Sequence, residues 1–446
     1  MAVSNTAAYE RIQGILDEGS FVEIGALVKG RNAGDGISGA GDGVVTGYGT
    51  IDDRLVYVYS QDPSYLAGSL GEMHARKISS VYRMALNMGA PVIAIVDCAG
   101  VRMDEGNDSL YSFGRIFAHQ AKVSGVVPQI TMVYGACGGG MAVSAGMSDF
   151  VFMEKENGRM FVNSPDAVTG NYTEKCDTSS AAFCAGNGSC DAYGTDEEIR
   201  KMVRDLVSML PQNCETDLSE NVTEDDLNRS VSGIESLKTP YEKAAQISDN
   251  GVVFEVKREY AASAFTGFIR LNGRTIGVVA NAKDELCWKA CEKITSFLKY
   301  CDAFSIPVLT LADVRGFARS IENEKMAAAK AAELSFTYAS LTVPSVTIVT
   351  GKAYGTAGIA MGSKSLGTDL AYAWTGAKMG LMEKEYMDKL TGINADKDVY
   401  SAQYNAERGY LDDIFAPEET RQKVAASFEM LYTKDVAVVP RKHGTV

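Results

Sequence analysis

An internal repeat constrains the fold of this chain more than any other feature of its sequence. Six residues recur 216 positions later with the same strand-and-turn surroundings: Pro91, Asp97, Gly100, Pro128, Gly135 and Gly139 reappear as Pro307, Asp313, Gly316, Pro344, Gly351 and Gly355. With small gaps the register extends to earlier segments, since residues 17–24 resemble 249–256 and residues 52–62 resemble 272–281. We therefore interpret the chain as a tandem duplication of one folding unit.

Each half alternates the patterns of buried strands and amphipathic helices. Short β-branched and apolar runs predict strands at Leu55–Ser60, Val92–Asp97 and Ile130–Tyr134, with TIGVVAN, IPVLTLAD and SVTIVTG as their counterparts. Helical spacing of apolar residues predicts helices within residues 68–89, at Lys289–Phe304 and at Asn323–Tyr338. The predicted fold class is a duplicated α/β fold, with an N-terminal domain over 1–214, an acidic linker over 215–240 and a C-terminal domain over 241–446.

Charge and the inventory of reactive side chains argue against several classes of function. Lys and Arg number 43 against 57 Asp and Glu, so the formal net charge is −14 and nucleic acid is not an expected partner. The nine cysteines, an odd number without CxxC spacing, predict reduced thiols and a cytoplasmic location. Only three histidines are present, which leaves little material for a metal centre or a Ser–His pair. We therefore predict no metal site.

The densest chemical signal is a glycine-rich turn between a buried strand and a helix-compatible stretch. Gly138–Gly140 allow a tight turn that presents backbone N–H groups without a side chain in the way, and the following helix favours negative charge. The second half carries Gly355-Thr356-Ala357-Gly358 at the equivalent place. Neither turn fits a P-loop, a dinucleotide fingerprint or a GxSxG nucleophile elbow. The pair is therefore interpreted as two turns that stabilise oxyanions.

A second pair of turns, Asp97–Arg102 and Asp313–Arg319, follows a buried strand in each half, where ligands approach α/β sheets. The aspartates that open these turns are interpreted as turn or cap residues rather than as bases. Two interpretations of Arg102 stay open: contact with an anionic cofactor, or a structural ion pair with a nearby carboxylate. The carboxylates of Glu105–Ser109 are interpreted as solvated loop residues.

A further series of motifs runs along the whole chain. In the first half these are ERIQGILDEGSFVEIGALV, GDGVVTGYGTIDDRLVYVYSQD, GSLGEMHARKI, SGVVPQITMVYGACGGG and SDFVFM. In the second half they are TGFIRLNGRTIGVVAN, CDAFSIPVLTLADVRGF, GKAYGTAGIAM, AERGYLDDIFAPEETR and PRKHG. In this order, from about residue 8 to the end, the sequence resembles the carboxyltransferase subunits of biotin-dependent acyl-CoA carboxylases and decarboxylases.

This resemblance implies two tandem crotonase-like (ClpP/crotonase) domains that transfer CO2 between carboxybiotin and an acyl-CoA. Acyl-CoA is then expected to bind mainly to one half, while carboxybiotin approaches from the other half of a neighbouring subunit. The N–H groups of Gly139 and Gly140 are implied to stabilise one oxyanion, and those of Thr356 and Ala357 the other. Because biotin itself takes the α-proton, no side-chain base is required. The implied substrate-binding residues are Gly68, Ser69, Ala99, Gly100, Arg102, Gly316 and Phe317.

The same resemblance implies partner chains, because the sequence has no biotinyl Met-Lys-Met motif and no ATP-binding carboxylase region. The expected partners are a biotin carboxyl carrier protein, a biotin carboxylase or a membrane decarboxylase subunit, and further copies of this chain, as a hexamer by resemblance. Three functions remain open: carboxylation of an acyl-CoA, decarboxylation of a malonyl-type CoA thioester for a sodium-pump complex, or a structural subunit without activity.

Four segments depart from the family pattern and leave the acyl preference open. One of them is the segment after Met379-Gly380, which is shortened. The usual Gly-Gly-Ala-Tyr is Gly355-Thr356-Ala357-Gly358, and the usual Gly-Phe-Leu-Pro-Gly is Gly316-Phe317-Ala318-Arg319-Ser320. A His-containing loop expected after Ser164-Pro165-Asp166 is replaced by a loop rich in Cys, Asn and Gly over residues 176–194, for which the sequence predicts no role.

Overall fold

The structure is a computed structural model that describes residues 6–31, 42–216, 223–392 and 397–436. The chain forms two compact units, unit 1 at Met1–Thr216 and unit 2 at Asp217–Val446. Residues 217–222 of the predicted linker and the terminal PRKHG motif lie outside the described residues. In the described ranges, no helix is both long enough and apolar enough to cross a membrane.

Unit 1 is built on one mixed sheet in the order β1-β2-β3-β4-β5-β6-β8, with β7 paired to β5. The first two pairings are antiparallel, and every pairing from β3 onward is parallel. The strands are β1 Val22–Glu23, β2 Val44–Ile51, β3 Arg54–Gln61, β4 Val92–Cys98, β5 Gln129–Gly138, β6 Phe150–Glu154, β7 Arg159–Phe161 and β8 Ala192–Gly194. This parallel arrangement brings the carboxyl ends of β4 and β5 together.

The helices of unit 1 complete this fold, and several of them pack on the buried strands. They are α1 Ala7–Ile15, α2 Glu72–Met88, α3 Asn107–Val123, α4 Gly140–Gly146, α5 Asn171–Glu174, α6 Ala181–Asn187 and α7 Asp196–Met209. The amphipathic face of α2 buries Ile78, Val81 and Tyr82 against the strands in one core, which also holds Phe113 and Met141. Burial of such apolar side chains is the main source of stability.

Unit 2 repeats this plan in the order β9-β10-β11-β13-β15-β16-β18, with β17 paired to β15 and a small parallel pair β12-β14. Its strands are β9 Val253–Glu255, β10 Ala264–Leu271, β11 Arg274–Asn281, β12 Glu285–Leu286, β13 Val308–Val314, β14 Gly316–Phe317, β15 Ser345–Tyr354, β16 Leu370–Trp374, β17 Lys378–Gly380 and β18 Asp413–Phe415. Its helices are α8 Pro240–Ile247, α9 Trp288–Ala303, α10 Ile321–Ser340, α11 Gly355–Ala360, α12 Lys384–Thr391, α13 Ala402–Glu407 and α14 Thr420–Met430.

Equivalent polar anchors confirm that the two units are copies of one plan. In unit 1, Arg204 pairs with Asp17, which caps the turn between β2 and β3 by accepting N–H bonds from that turn. In unit 2, Arg421 pairs with Asp249 at 2.7 Å, and Asp249 accepts from the N–H of Gly273 in the equivalent turn. The duplicated α/β fold predicted from the repeat is thus reproduced down to individual ion pairs.

The predicted strands and helices are present, with boundaries that differ by a few residues. The largest difference is β5, which continues to Gly138 rather than ending at Tyr134. The second half of the predicted linker contributes to a core, since Val231 and Ile234 are buried with the apolar side chains of unit 2. The predicted linker is acidic and has few apolar residues, so its sequence pattern does not indicate that Val231 and Ile234 are buried in a core.

The Cys/Asn/Gly-rich segment 176–194 is ordered secondary structure and not an open loop. Its central helix α6 begins after Ser180, whose side chain accepts from the N–H of Phe183, and ends at Gly188 with φ of 85°. Cys184 and Cys190 are buried in the core of unit 1. The segment therefore has a structural role at the edge of the sheet, where it supplies β8 and its helix α6 contacts β7.

Candidate active site

The glycine-rich turn of unit 1 lies at the carboxyl end of β5. Gly139 has φ of 56° and ψ of −116°, a conformation that side chains other than glycine adopt only under strain. Its N–H donates to the carbonyl oxygen of Phe161 at 2.9 Å. This bond prolongs the pairing of β5 with β7, so the N–H of Gly139 is not available to a ligand.

This finding corrects the predicted donor pair of the first half. Helix α4 begins at Gly140, so the N–H groups of Gly140 and Met141 have no acceptor within the helix. In the described part of the chain, neither group donates to a backbone carbonyl outside it. Gly140 and Met141 are therefore the two free donors of this turn, one residue later than the pair expected from the family pattern.

Gly140 is required for a different reason from Gly139. Its φ is ordinary, but a Cβ at this position would lie 2.6 Å from Cδ1 of Phe113 on α3. The close approach of the Phe113 ring to the turn leaves no room for a side chain. At this turn, glycine is therefore needed at position 139 because φ is positive and at position 140 because a side chain would collide with Phe113.

Three predicted substrate-binding residues of unit 1 lie beside this turn. The carbonyl oxygen of Ala99 lies 3.7 Å from the position that a Cβ of Gly138 would take. Gly100 has φ of 117°, and its carbonyl oxygen accepts from the N–H of Leu70 at 2.8 Å. Gly68, with φ of 66°, approaches the carbonyl oxygen of Asp97 so closely that any side chain would collide with it. The structure therefore brings Gly68, Ala99 and Gly100 to the carboxyl ends of β4 and β5.

Arg102 is a structural residue, which decides between its two interpretations. Its side chain is 3% exposed and forms ion pairs with Asp42 and, at 3.1 Å, with Glu105. The guanidinium also donates to the carbonyl oxygen of Ser69 at 2.7 Å. Desolvation raises the pKa of Asp42, and the bond from Arg102 opposes this effect. Because its charge is matched inside the protein, Arg102 is not placed to bind an anionic ligand.

Two further expectations change with this cluster. The Ser69 carbonyl faces Arg102, so Ser69 acts here as part of the scaffold under the turn. Glu105 was interpreted as a solvated loop residue, but its side chain is 3% exposed, and it accepts from the N–H of Glu72 at 2.6 Å. The partners of the cluster come from distant parts of the chain, so sequence spacing did not reveal them.

The second turn has the same backbone form at the carboxyl end of β15. Gly355 has φ of 59°, close to the value at Gly139, and α11 begins at this residue. Thr356 and Ala357 are therefore first-turn residues of a helix, whose N–H groups lack intrahelical acceptors. Thr356 is exposed, whereas Ala357 is buried. At the offset of 216 these residues correspond to Gly140 and Met141, which supports the corrected pair in unit 1.

Gly316 and Phe317 lie against this second turn. They form β14, which pairs with Glu285–Leu286 and contacts α11. Unit 1 has the same arrangement as a single bridge between Leu70 and Val101. The charge added by the departure at Arg319 is partly compensated, since its guanidinium lies 3.0 Å from Glu285.

The aspartates that open the second pair of turns have the scaffold role predicted for them. Asp97 lies over Gly135 and pairs with Arg11 at 3.0 Å, while Asp313 lies over Gly351 and accepts from the N–H of Lys352 at 2.8 Å. A side chain in place of either glycine would collide with the carboxylate above it. This explains why both residues recur together in the repeat.

Comparison with known proteins assigns the chain that carries these two turns to a family. Residues 3–391 match the family described as carboxyl transferase domain. This chain belongs to that family. The propionyl-CoA carboxylase beta chain of Roseobacter denitrificans is 38% identical to it, over 98% of this chain and 93% of the relative. The methylmalonyl-CoA decarboxylase subunit alpha of Veillonella parvula is 35% identical, over 100% of this chain and 94% of the relative.

A solved structure agrees with the sequence relatives. Transcarboxylase 12S, described as a hexamer and solved with hydrolysed methylmalonyl-coenzyme A, matches with a TM-score of 0.90 at 33% identity. The match covers 99% of this chain and 92% of that protein. The chain is therefore a carboxyltransferase, as its sequence motifs predicted.

Proposed function

We propose that this chain transfers a carboxyl group between carboxybiotin, carried by a separate protein, and the α-carbon of an acyl-CoA. The observation that carries the proposal is the recurrence of one backbone turn in both units of a carboxyl transferase family member, with φ of 56° at Gly139 and 59° at Gly355. Each turn offers two N–H groups, which are suited to an oxyanion. We further propose that the two units are tandem crotonase-like domains.

The roles of the four donors follow from the chemistry of transfer. Negative charge develops on the thioester oxygen when the α-proton leaves, and on the ureido oxygen of biotin when CO2 leaves. Gly140 and Met141 stabilise one of these oxygens, and Thr356 and Ala357 stabilise the other. Carboxybiotin supplies the CO2 and its nitrogen the proton acceptor, so the chain contributes positioning and backbone hydrogen bonds. Removal of one such donor typically lowers the rate by about 10²–10³-fold.

The candidate substrate-binding residues divide into two groups. The first group lies at the two turns and contains Gly68, Ala99, Gly100, Gly316 and Phe317, four of which have small side chains or none. Ser69 and Arg102 are assigned to the scaffold, because Arg102 holds the Ser69 carbonyl in a buried ion cluster.

A second direction of the same chemistry is supported by the relatives. Methylmalonyl-CoA decarboxylase subunit alpha is 35% identical to this chain over its whole length. The two donor pairs serve transfer from a malonyl-type CoA thioester to biotin equally well, since the transition states are the same in both directions. Decarboxylation is therefore kept as the second candidate function.

Partner chains and assembly form part of the proposal. We infer a biotin carboxyl carrier protein, a biotin carboxylase or membrane decarboxylase subunit, and a homo-oligomer of this chain, with the hexamer of transcarboxylase 12S as the guide. All nine cysteines are free, which agrees with a reducing cytoplasmic setting. Light scattering tests the assembly: a 47.8 kDa monomer at micromolar concentration would contradict it.

The function is tested by measuring carboxyl transfer with the purified full chain. Carboxylated carrier, or carboxybiotin in excess, is mixed with a panel of acyl-CoA thioesters, and malonyl-type thioesters are mixed with biotin in the reverse assay. We expect transfer in one or both directions that needs no added metal. Hydrogen–deuterium exchange at the α-carbon without any carboxyl transfer would reject the proposal, as would complete inactivity of an oligomer that binds acyl-CoA.

A further inference from the structure

Unit 2 contains a polar cavity of about 180 Å³ at the carboxyl ends of β11 and β13. Residues from α8 and the segment before it close one side, and the ends of the strands form the floor. Its lining includes Lys238, Lys243, Asn281, Lys283, Asp313 and Thr350. None of the lining residues belongs to the candidate donor pair Thr356 and Ala357. The cavity is therefore not part of the turn assigned to carboxyl transfer.

In unit 1 the equivalent place is filled by side chains. Arg11 on α1 reaches Asp97 at 3.0 Å, and its guanidinium lies 4.8 Å from the ring centroid of Tyr134. Tyr134 in turn donates to Asp196 at 2.6 Å. The charge of Asp97 is thus neutralised internally, and an aromatic ring occupies the space above the strand ends.

The repeat identifies what replaces these side chains in unit 2. The offset that aligns Asp17 with Asp249 aligns Arg11 with Lys243, and the offset of 216 aligns Tyr134 with Thr350. Both replacements are smaller, which opens the cavity. Unit 2 retains the aspartate and a side-chain amide beside it. The amide oxygen of Asn281 accepts from the N–H of Asp313, as that of Gln61 accepts from the N–H of Asp97 in unit 1.

Lys243 lacks the partner that Arg11 has. In the described ranges, its ammonium has no carboxylate within 4.0 Å and donates no hydrogen bond, and it lies 5.4 Å from the centroid of the Trp374 ring. Desolvation lowers the pKa of Lys243, and the charge of Asp313 acts against this. A half-buried cation without an ion pair is costly unless another anion approaches.

The charges around the cavity indicate which anion fits. Lys238 and Lys283 line its rim, and each is exposed and without an ion pair in the described residues. Three ammonium groups therefore line a cavity that also contains two carboxylates, Asp313 in its floor and Asp284, which the ammonium of Lys352 approaches to 3.6 Å. The charge balance of the lining is still positive, in a chain of net charge −14. A divalent oxyanion matches the cations, but Asp313 repels it unless one of its oxygens carries a proton.

We propose that this cavity binds inorganic hydrogen phosphate, a divalent oxyanion that carries one proton. The ammonium groups donate to its charged oxygens, and its single O–H donates to Asp313. Sulfate has the same size and charge but no proton, so the site discriminates against it.

The test is a titration of the full-length protein with inorganic phosphate, followed by tryptophan fluorescence. Trp374 lies next to Lys243, and a Trp288→Phe background removes the signal of the second tryptophan. We expect saturable binding of phosphate and binding of sulfate that is at least tenfold weaker. Lys243→Met should weaken phosphate binding by about tenfold or more, which corresponds to one lost charge-assisted hydrogen bond. Lys389→Met, an exposed lysine of α12 outside the cavity, is the matched control and should bind as the parent does.

A second variant tests whether the side chains found in unit 1 prevent phosphate from entering the cavity of unit 2. Lys243→Arg combined with Thr350→Tyr restores the two residues that fill the space in unit 1, and it should abolish phosphate binding without loss of the folded state in circular dichroism. A phosphomonoester whose dianion has no O–H should bind at least tenfold more weakly than phosphate, as sulfate does, and tighter binding of the ester would contradict the role given to Asp313. Equal binding of phosphate and sulfate, or unchanged phosphate binding in Lys243→Met, would overturn the proposal.

Discussion

The two glycine-rich turns have the same backbone but different surroundings. In unit 1 the turn is enclosed, with the ring of Phe113 against Gly140 and the side chain of Met141 buried. In unit 2 the equivalent Thr356 is exposed, and the neighbouring rim carries the charged side chains of Glu285, Arg319 and Lys352. What the duplication preserves is the direction of backbone N–H groups, and what it varies is the side chains around them. This difference supports the proposal that the chemistry shared by the two turns depends on main-chain groups.

The polar anchors of the units differ in the same way. Arg204 in unit 1 has 29% of its side chain exposed, whereas Arg421 in unit 2 is fully buried between Asp225, Asp249 and backbone carbonyls. The paired aspartates are equivalent, yet the environments are not. Equivalent arginines are therefore expected to contribute differently to the free energy of unfolding, and substitution of Arg204 and of Arg421 can measure this difference.

The largest effect is expected from Gly140→Val. The added side chain collides with Phe113 and displaces the donors of Gly140 and Met141, so carboxyl transfer should fall by about 10²–10³-fold. Gly114→Ala on α3 is the control, because a Cβ there meets nothing within 4 Å. If Gly140→Val assembles and transfers carboxyl groups at the parental rate, the assignment of this turn is wrong.

The matched arginines provide the next comparison. Arg421→Ala leaves two carboxylates without their buried partner and should lower the free energy of unfolding of unit 2 by about 3–5 kcal/mol. Arg204→Ala should cost about 1 kcal/mol, because solvent screens its partly exposed pairs. Urea unfolding followed by far-ultraviolet circular dichroism, which reports both units, measures the two losses. Tryptophan fluorescence identifies the transition of unit 2, because Trp288 and Trp374 both lie in that unit. Equal losses in the two variants would contradict the difference in burial.

A pH dependence of stability should distinguish two equivalent aspartates, Asp149 and Asp369, which immediately precede β6 and β16. Asp149 accepts from the N–H of Gln129, and desolvation raises its pKa from 3.8 to about 7. Because the folded pKa lies above the unfolded one, the stability that Asp149 contributes is complete below pH 3.8 and declines as the pH rises to about 7. Asp149→Asn should flatten this part of the stability profile. Asp369, its counterpart, is paired with Lys434 at 2.8 Å, so Asp369→Asn should remove an ion pair instead.

The smallest effect is expected from Thr356→Gly. The N–H donor remains, and only an exposed side chain is lost, so transfer should stay within about fivefold of the parent, as expected for roughly 1 kcal/mol of added helix flexibility. Initial rates with saturating acyl-CoA measure it. A loss as large as that of Gly140→Val would mean that the Thr356 hydroxyl takes part in the reaction.

Repetition made the fold predictable from the sequence. The offset of 216 residues located the equivalent strands. It also relates the proposed donor pairs, because Met141 stands 216 positions before Ala357. The family pattern drew attention to Gly139 instead, whose positive φ is real but whose N–H is bonded to Phe161. Glycine conformation and donor availability are separate properties, and only coordinates separate them.

The remaining differences arise from contacts between distant segments. Arg102 and Asp42 are 60 positions apart, and no spacing rule connects them. The enclosure of Gly140 depends on Phe113 from α3, a helix that the sequence did not predict. The helix α6 was hidden by a composition rich in Cys, Asn and Gly, although its Ser180 cap and Gly188 terminus were readable signals.

The central claim is that backbone N–H groups, and not side chains, stabilise the reacting oxygens. The most direct measurement replaces the amide of Thr356 by an ester through its α-hydroxy acid, which removes the N–H and keeps the side chain. An ester at Ile359, within the same helix, is the control. We predict that the ester at Thr356 lowers carboxyl transfer by about 10²–10³-fold while assembly is unchanged, and that the ester at Ile359 has little effect. Full activity with the ester at Thr356 would contradict the account.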